Sequence, residues 1–277
     1  MKPTPAELSL LLQTAFTEFH SQFHLERDPI SHVHRYADPG DQEVVGFLAA
    51  LMAYGNVTTI LGSLYKVLLP LGDSPKAAVK SLGEENLHPY FRHRFTTGED
   101  LWVILARLQV VYSRFETLED FFLDQAPSQQ MGVLLSSFVD RFFALPVPPA
   151  ISAIEKRRVR SLKYLISHPS RGSACKRLNL FLRWMARPND GVDLGIWQRL
   201  GPGPLLLPVD THLLKVLREL KWTKSKVANW KVAEEATAQL RKISPDDPVR
   251  FDFSLCHLSM SGHSIKKYWE AKKQESR

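Results

Sequence analysis

The sequence predicts an all-α protein. Apolar residues recur at helical spacing along most of the chain, alternating strand-like runs with Asn-Gly-type hairpins are lacking, and proline and glycine fall between the periodic stretches. At 277 residues the chain can bury a substantial core. It reads as one helical unit over 1–277, with two packed lobes meeting near 146–150, where Pro146, Pro148 and Pro149 crowd together.

The first helix is predicted from the stripe Leu8, Leu11, Leu12, Ala15, Phe16 and Phe19. A second follows from Val44, Val45, Leu48, Leu51 and Met52, with Asp41 and Glu43 as an acidic start suited to a helix N-terminus. Tyr54, Gly55 and Asn56 read as its C-cap, because glycine and asparagine tolerate left-handed backbone. Further helices are predicted near 57–70, 100–112, 128–144, 151–167, 174–187, 210–220, 227–242 and 246–258, and the basic tail after Ile265 is expected to fray. Trp184, Trp197 and Trp222 are expected in the core.

Hydrophobic content of 44% with 23% charged residues fits an ordinary globular chain and argues against disorder. No apolar run reaches the length of a membrane span, and no basic-then-apolar export segment opens the chain, so no membrane partner is expected. Cys175 and Cys256 are the two cysteines, too few for a disulfide framework or a four-cysteine iron–sulfur cluster, which fits a reducing cytoplasm. His20, His24, His32 and His34 match no zinc spacing, so no metal or other cofactor is expected. The formal net charge of +7 favours polyanions through counterion release.

The segment from Ser167 to Leu220 carries the most chemistry. Pro169 through Ser173 form a tight connection, with Ser173 available as an N-cap. In the helix that follows, Ala174, Leu178, Phe181, Leu182 and Met185 line a core face, leaving Lys176, Asn179, Arg183 and Arg187 on an opposite, basic face. A loop with free backbone N–H groups leading into a basic helix N-terminus is a phosphate clamp in outline. Arg171, Gly172, Ser173, Arg177 and Arg183 are therefore candidate phosphate-binding residues, DNA-binding ones if the polyanion is DNA. With Lys156, Arg157, Arg158, Arg160 and Lys163 just upstream, these cations read either as a solvated face or as one basic strip; Asp190 and Asp193 read as loop or cap residues. Asp210 precedes an amphipathic run and reads as a helix N-cap.

Pro208-Val209-Asp210-Thr211-His212 followed by a leucine-rich helix resembles the segment that holds the catalytic aspartate of helix–hairpin–helix DNA glycosylases. The resemblance implies a helix–hairpin–helix glycosylase-like fold, flipping of a damaged base and cleavage of its N-glycosidic bond. It implies Asp210 as the catalytic carboxylate and Lys176 as the amine that attacks the sugar in bifunctional glycosylase/AP lyases. It also implies Asn56 as a polar filler of the gap left by an extruded base. No Leu-Pro-Gly-Val-Gly-type hairpin precedes Asp210, and the 34-residue spacing from Lys176 is most similar to that of archaeal 8-oxoguanine glycosylases. The runs from Glu43 to Asn56, Ser173 to Asn179, Phe181 to Met185 and Leu207 to His212 also resemble an uncharacterised bacterial family, domain of unknown function 2400. Two other readings fit the same residues: a noncatalytic DNA- or RNA-binding module, and a helical interaction protein whose charge is incidental.

Overall fold

The computed structural model describes residues 4–83, 85, 87–125 and 128–275. Its fold is mostly helical. Helices α1 (Pro5–Phe19), α2 (Gln22–Leu25), α3 (Pro39–Met52), α4 (Val57–Leu68) and α5 (Pro75–Lys80) come first, with a 3-10 turn at Pro29–Arg35. A two-stranded hairpin, β1 (Arg92–His93) and β2 (Thr96–Thr97), pairs Arg92 with Thr97 and His93 with Thr96. It leads into α6 (Gly98–Arg114), α7 (Leu118–Leu123), α8 (Met131–Ala144) and α9 (Pro149–Leu165). The C-terminal part holds α10 (Lys176–Ala186), α11 (Thr211–Glu219), α12 (Trp230–Arg241), α13 (Asp252–Met260) and α14 (Ile265–Glu275).

Helix α3 is buried around its whole circumference, as its apolar sequence demands of a central helix. It starts earlier than its apolar stripe suggests. Asp38 is the N-cap, accepting from the Gly40 and Asp41 amides at 2.8 and 3.1 Å, with Pro39 in the first turn. Glu43 is therefore inside the helix rather than at its start. Its carboxylate accepts from Trp197 Nε1 at 2.6 Å and the Leu118 amide at 2.9 Å, joining α3 to the head of α7. Burial pushes this carboxyl up, opposed by those donors. At Gly46 a Cβ would come within 2.7 Å of the Met185 methyl, so the missing side chain lets α10 approach α3 closely.

One hydrophobic cluster runs from Leu11 to Tyr268 and takes in residues on both sides of the proline-rich step at 146–149. Arg107 of α6 spans that step, donating to the carbonyls of Phe142 and Leu145 at 2.7 and 3.0 Å and pairing with Glu155 of α9. Trp184 and Trp197 are buried and Trp222 packs against the core. The tail after Ile265 is a helix rather than a frayed end: Tyr268 donates to Glu18 of α1 at 2.8 Å. The short α5 and α7 and the hairpin escape periodicity because each has fewer than two helical turns or two residues per strand.

Candidate active site

A cleft of about 660 Å³ opens where the α3–α4 junction, the hairpin tip, the start of α10, the Pro208–His212 segment and α13 meet. Its lining includes Tyr54, Asn56, Arg94, Lys176, Arg177, Asp210, Asp252 and Cys256. Lys176 and Asp210, the two residues singled out for chemistry, thus face one cavity.

Lys176 is the first residue of α10. The chain reaches it through two left-handed residues, Gly172 at φ 74° and Cys175 at φ 45°. Cys175, not Ser173, is the N-cap; Ser173 Oγ instead accepts from the Cys175 amide at 3.1 Å, and the buried Cys175 thiol donates to the Ser167 carbonyl at 3.3 Å. Burial pushes that thiol up. The half-buried Lys176 Nζ donates to the Ala53 carbonyl at the end of α3, 3.2 Å away, and among the described residues it pairs with no carboxylate. Asp210 is the N-cap of α11, as its sequence context predicts. Its Oδ1 accepts from the His212 and Leu213 amides, both at 2.9 Å, while the Cys256 thiol lies 3.9 Å from Oδ2.

The expected basic face of α10 is not an exposed face. Asn179, Arg183 and Arg187 are buried. Arg183 pairs with Asp193 at 3.1 Å and with Asp252; Arg187 pairs with Asp193, with Asp247 at 2.9 Å and with Asp190 at 3.0 Å. Burial works against the Arg183 charge, but Asp193 and Asp252 overcome it and raise its pKa. Arg183 is therefore a buried cation that lines the cleft while paired with Asp193 and Asp252, not a solvent-exposed one, and Asp190 and Asp193 are partners of buried arginines rather than simple loop residues.

Arg177 is also committed: its guanidinium donates to the Tyr164 and Leu165 carbonyls at the end of α9 and lies 4.0 Å from the Tyr164 ring. Arg171 and Gly172 are exposed and Ser173 half-buried on the connection ahead of α10. Asn56 is exposed at the cleft, but it caps the start of α4, its side chain accepting from the Thr58 amide at 3.0 Å, and does not end α3. Gly55, at φ 105°, makes the intervening turn.

Asp252, which sequence reasoning passed over, lines the same cleft beside Lys176 and Asp210. Burial pushes its carboxyl up to about 6, Arg183 pulls against this, and the charge of Asp210 adds to it. Around it two guanidiniums, Arg183 and Arg187, pair with four carboxylates, Asp190, Asp193, Asp247 and Asp252. The available signal was a single acid between Phe251 and Phe253, charge where apolar neighbours promise burial.

Residues 28–261 match the family described as protein of unknown function DUF2400. The chain belongs to that family. Every cleft-lining residue except Arg27 falls within the span shared with the DUF2400 family, whereas α1 and α14 lie outside it and pack together. No curated protein and no solved structure matches this DUF2400 chain.

Proposed function

We propose that this DUF2400 protein is a base-excision DNA glycosylase with AP lyase activity, related in its chemistry to the helix–hairpin–helix glycosylases. One observation carries the reading: an amine and a carboxylate 34 residues apart in sequence, Lys176 and Asp210, line one cleft. A cavity of about 660 Å³ lies within the range that encloses small molecules. Lys176 is held by a neutral carbonyl, so no ion pair must break before the amine turns to a substrate. Asp210 has one oxygen fixed by two amides and the other turned from them, which suits a fixed charge facing a sugar cation.

In this mechanism a nucleotide is extruded into the cleft. Lys176 Nζ, deprotonated, attacks C1′ as the N-glycosidic bond breaks. The base leaves with the bonding pair and takes the proton that the newly bonded Lys176 ammonium sheds, while Asp210 stabilises the positive charge that develops on the sugar. The ring-opened sugar and Lys176 form an iminium; loss of a C2′ proton expels the 3′ phosphate, and water releases the lysine. The test is borohydride trapping on duplex DNA carrying an abasic site or oxidised bases. The wild-type protein is expected to give a covalent adduct that Lys176→Ala abolishes. No adduct and no released base across a lesion panel would overturn the reading.

A further inference from the structure

Tyr54 and Tyr164, which line the cleft, both meet the ring of Phe95. Phe95, at the hairpin tip, stacks on Tyr54 with centroids 5.1 Å apart and planes at 19°, and Tyr164 of α9 meets the Phe95 ring edge-on at 4.5 Å. The two outer rings are water-facing, Phe95 39% and Tyr164 45% exposed. Contacts from the fold anchor the cluster, with the Arg177 guanidinium 4.0 Å from the Tyr164 ring. Tyr54 hydroxyl contacts Thr96 Oγ1 at 2.6 Å and donates to the His93 carbonyl at 3.0 Å, and Arg158 of α9 donates to the Phe95 carbonyl at 2.8 Å. Rigid aromatic surface left in solvent beside a cleft is what a stacking ligand requires.

Charge leads toward these rings. On α9, Lys156, Arg160, Lys163 and Tyr164 are exposed at three- and four-residue spacing, a ridge roughly 12 Å long. None of these three cations has an ion-pair partner among the described residues, unlike their neighbours Arg157 and Arg158, which pair with Glu99 and Asp100. Arg94, exposed beside Phe95 and held at φ 55°, adds a cation at the cleft itself. We infer that Phe95 and Tyr164 form a base-stacking platform, fed by a phosphate track along α9, that holds unpaired nucleotides of a single-stranded stretch of DNA beside the cleft. The inference rests on the reading that the cleft receives a nucleotide, and it sharpens the substrate to DNA already locally unpaired.

Fluorescence anisotropy with the full chain tests it. The probes are a short labelled oligothymidine, its duplex with oligodeoxyadenosine, and an abasic tetrahydrofuran oligomer of equal length, which keeps the phosphates and lacks the bases. Oligothymidine is expected to bind tightest. Phe95→Leu and Tyr164→Leu, which keep apolar bulk, are each expected to weaken it about 5- to 150-fold, the range for losing one base–aromatic stack, and to leave the abasic oligomer unaffected. Tyr164→Phe restores binding, and Lys163→Gln weakens both single strands while flattening the salt dependence. Equal affinity for the bare phosphate oligomer, tighter binding of the duplex, or unchanged affinity in both leucine variants would overturn the platform; a fourth probe, labelled oligouridine of equal length, binding tighter than oligothymidine would overturn the assignment to DNA. A trapped adduct with unchanged leucine variants removes the platform and keeps the enzyme. Platform-dependent binding without any adduct removes the enzyme and keeps the platform.

Discussion

The two ends of α10 put the same residue chemistry to opposite uses. At its N-terminus Lys176 reaches the cleft and donates to a carbonyl; two and three turns later the buried Arg183 and Arg187 are paired with four carboxylates, Arg183 and Asp252 meeting at the cleft wall. What separates them is the company the fold brings. The open end meets the neutral end of α3, whereas the closed end meets the acid-bearing segments at 190–193 and 247–252. A basic residue on a polar helix face is thus a site or a structural strut according to whether acids converge on it.

The sharpest way to break this contrast is to remove a buried arginine. Arg183→Met leaves the buried Asp252 without its cation and Asp193 with Arg187 alone, and is expected to destabilise the protein by about 3–5 kcal/mol in urea unfolding. Removing the cleft amine by Lys176→Ala is expected to leave stability within about 0.5 kcal/mol. Equal effects from the two variants would show that both ends of α10 are structural.

A smaller effect follows from the burial of Asp252. Asp252 sits near 6 in the folded protein and returns to the ordinary carboxylate range on unfolding, so the folded state holds its proton more tightly. Its contribution to stability is complete below about pH 4 and is lost as pH rises through about 6. Asp252→Asn, which cannot titrate, is expected to remove a decline on the order of 2 kcal/mol between those limits. Unfolding free energies of both proteins measured across that range, showing parallel profiles, would mean that Asp252 stays charged against Arg183.

Much of this architecture is written in the chain's periodicity. The apolar stripe of α1 and the cap at Asp210 before a leucine-rich run are local signals that form where the pattern puts them, whereas α3 begins at Pro39, ahead of its apolar stripe, and is buried all round. The polar face of α10 shows the limit of such signals. Helical spacing puts Arg183 and Arg187 away from the leucine and phenylalanine face, but it cannot say that Asp193, Asp247 and Asp252 cover that side. Asn56 failed as a C-cap for a related reason, since Gly55 takes the left-handed residue and frees Asn56 to start the next helix. The meeting of Lys176 and Asp210 depends on tertiary packing of α10 against α3 and of α11 against α13, which no local pattern encodes.

The smallest expected effect separates structure from chemistry within one residue. Asp210 holds two amides of α11, so Asp210→Ala is expected to cost about 1 kcal/mol of stability. Asparagine caps a helix about as well as aspartate, so Asp210→Asn is expected to unfold at nearly the wild-type urea concentration. The amide carries no charge to set against a sugar cation, and trapping by Asp210→Asn on oxidised-base DNA, where the N-glycosidic bond must still break, is expected to fall about 100-fold or more, as when one transition-state donor is lost elsewhere. A variant as stable and as readily trapped as wild type would make Asp210 a cap and nothing more. The open end of α10 would then be left with an amine but no electrostatic partner for it.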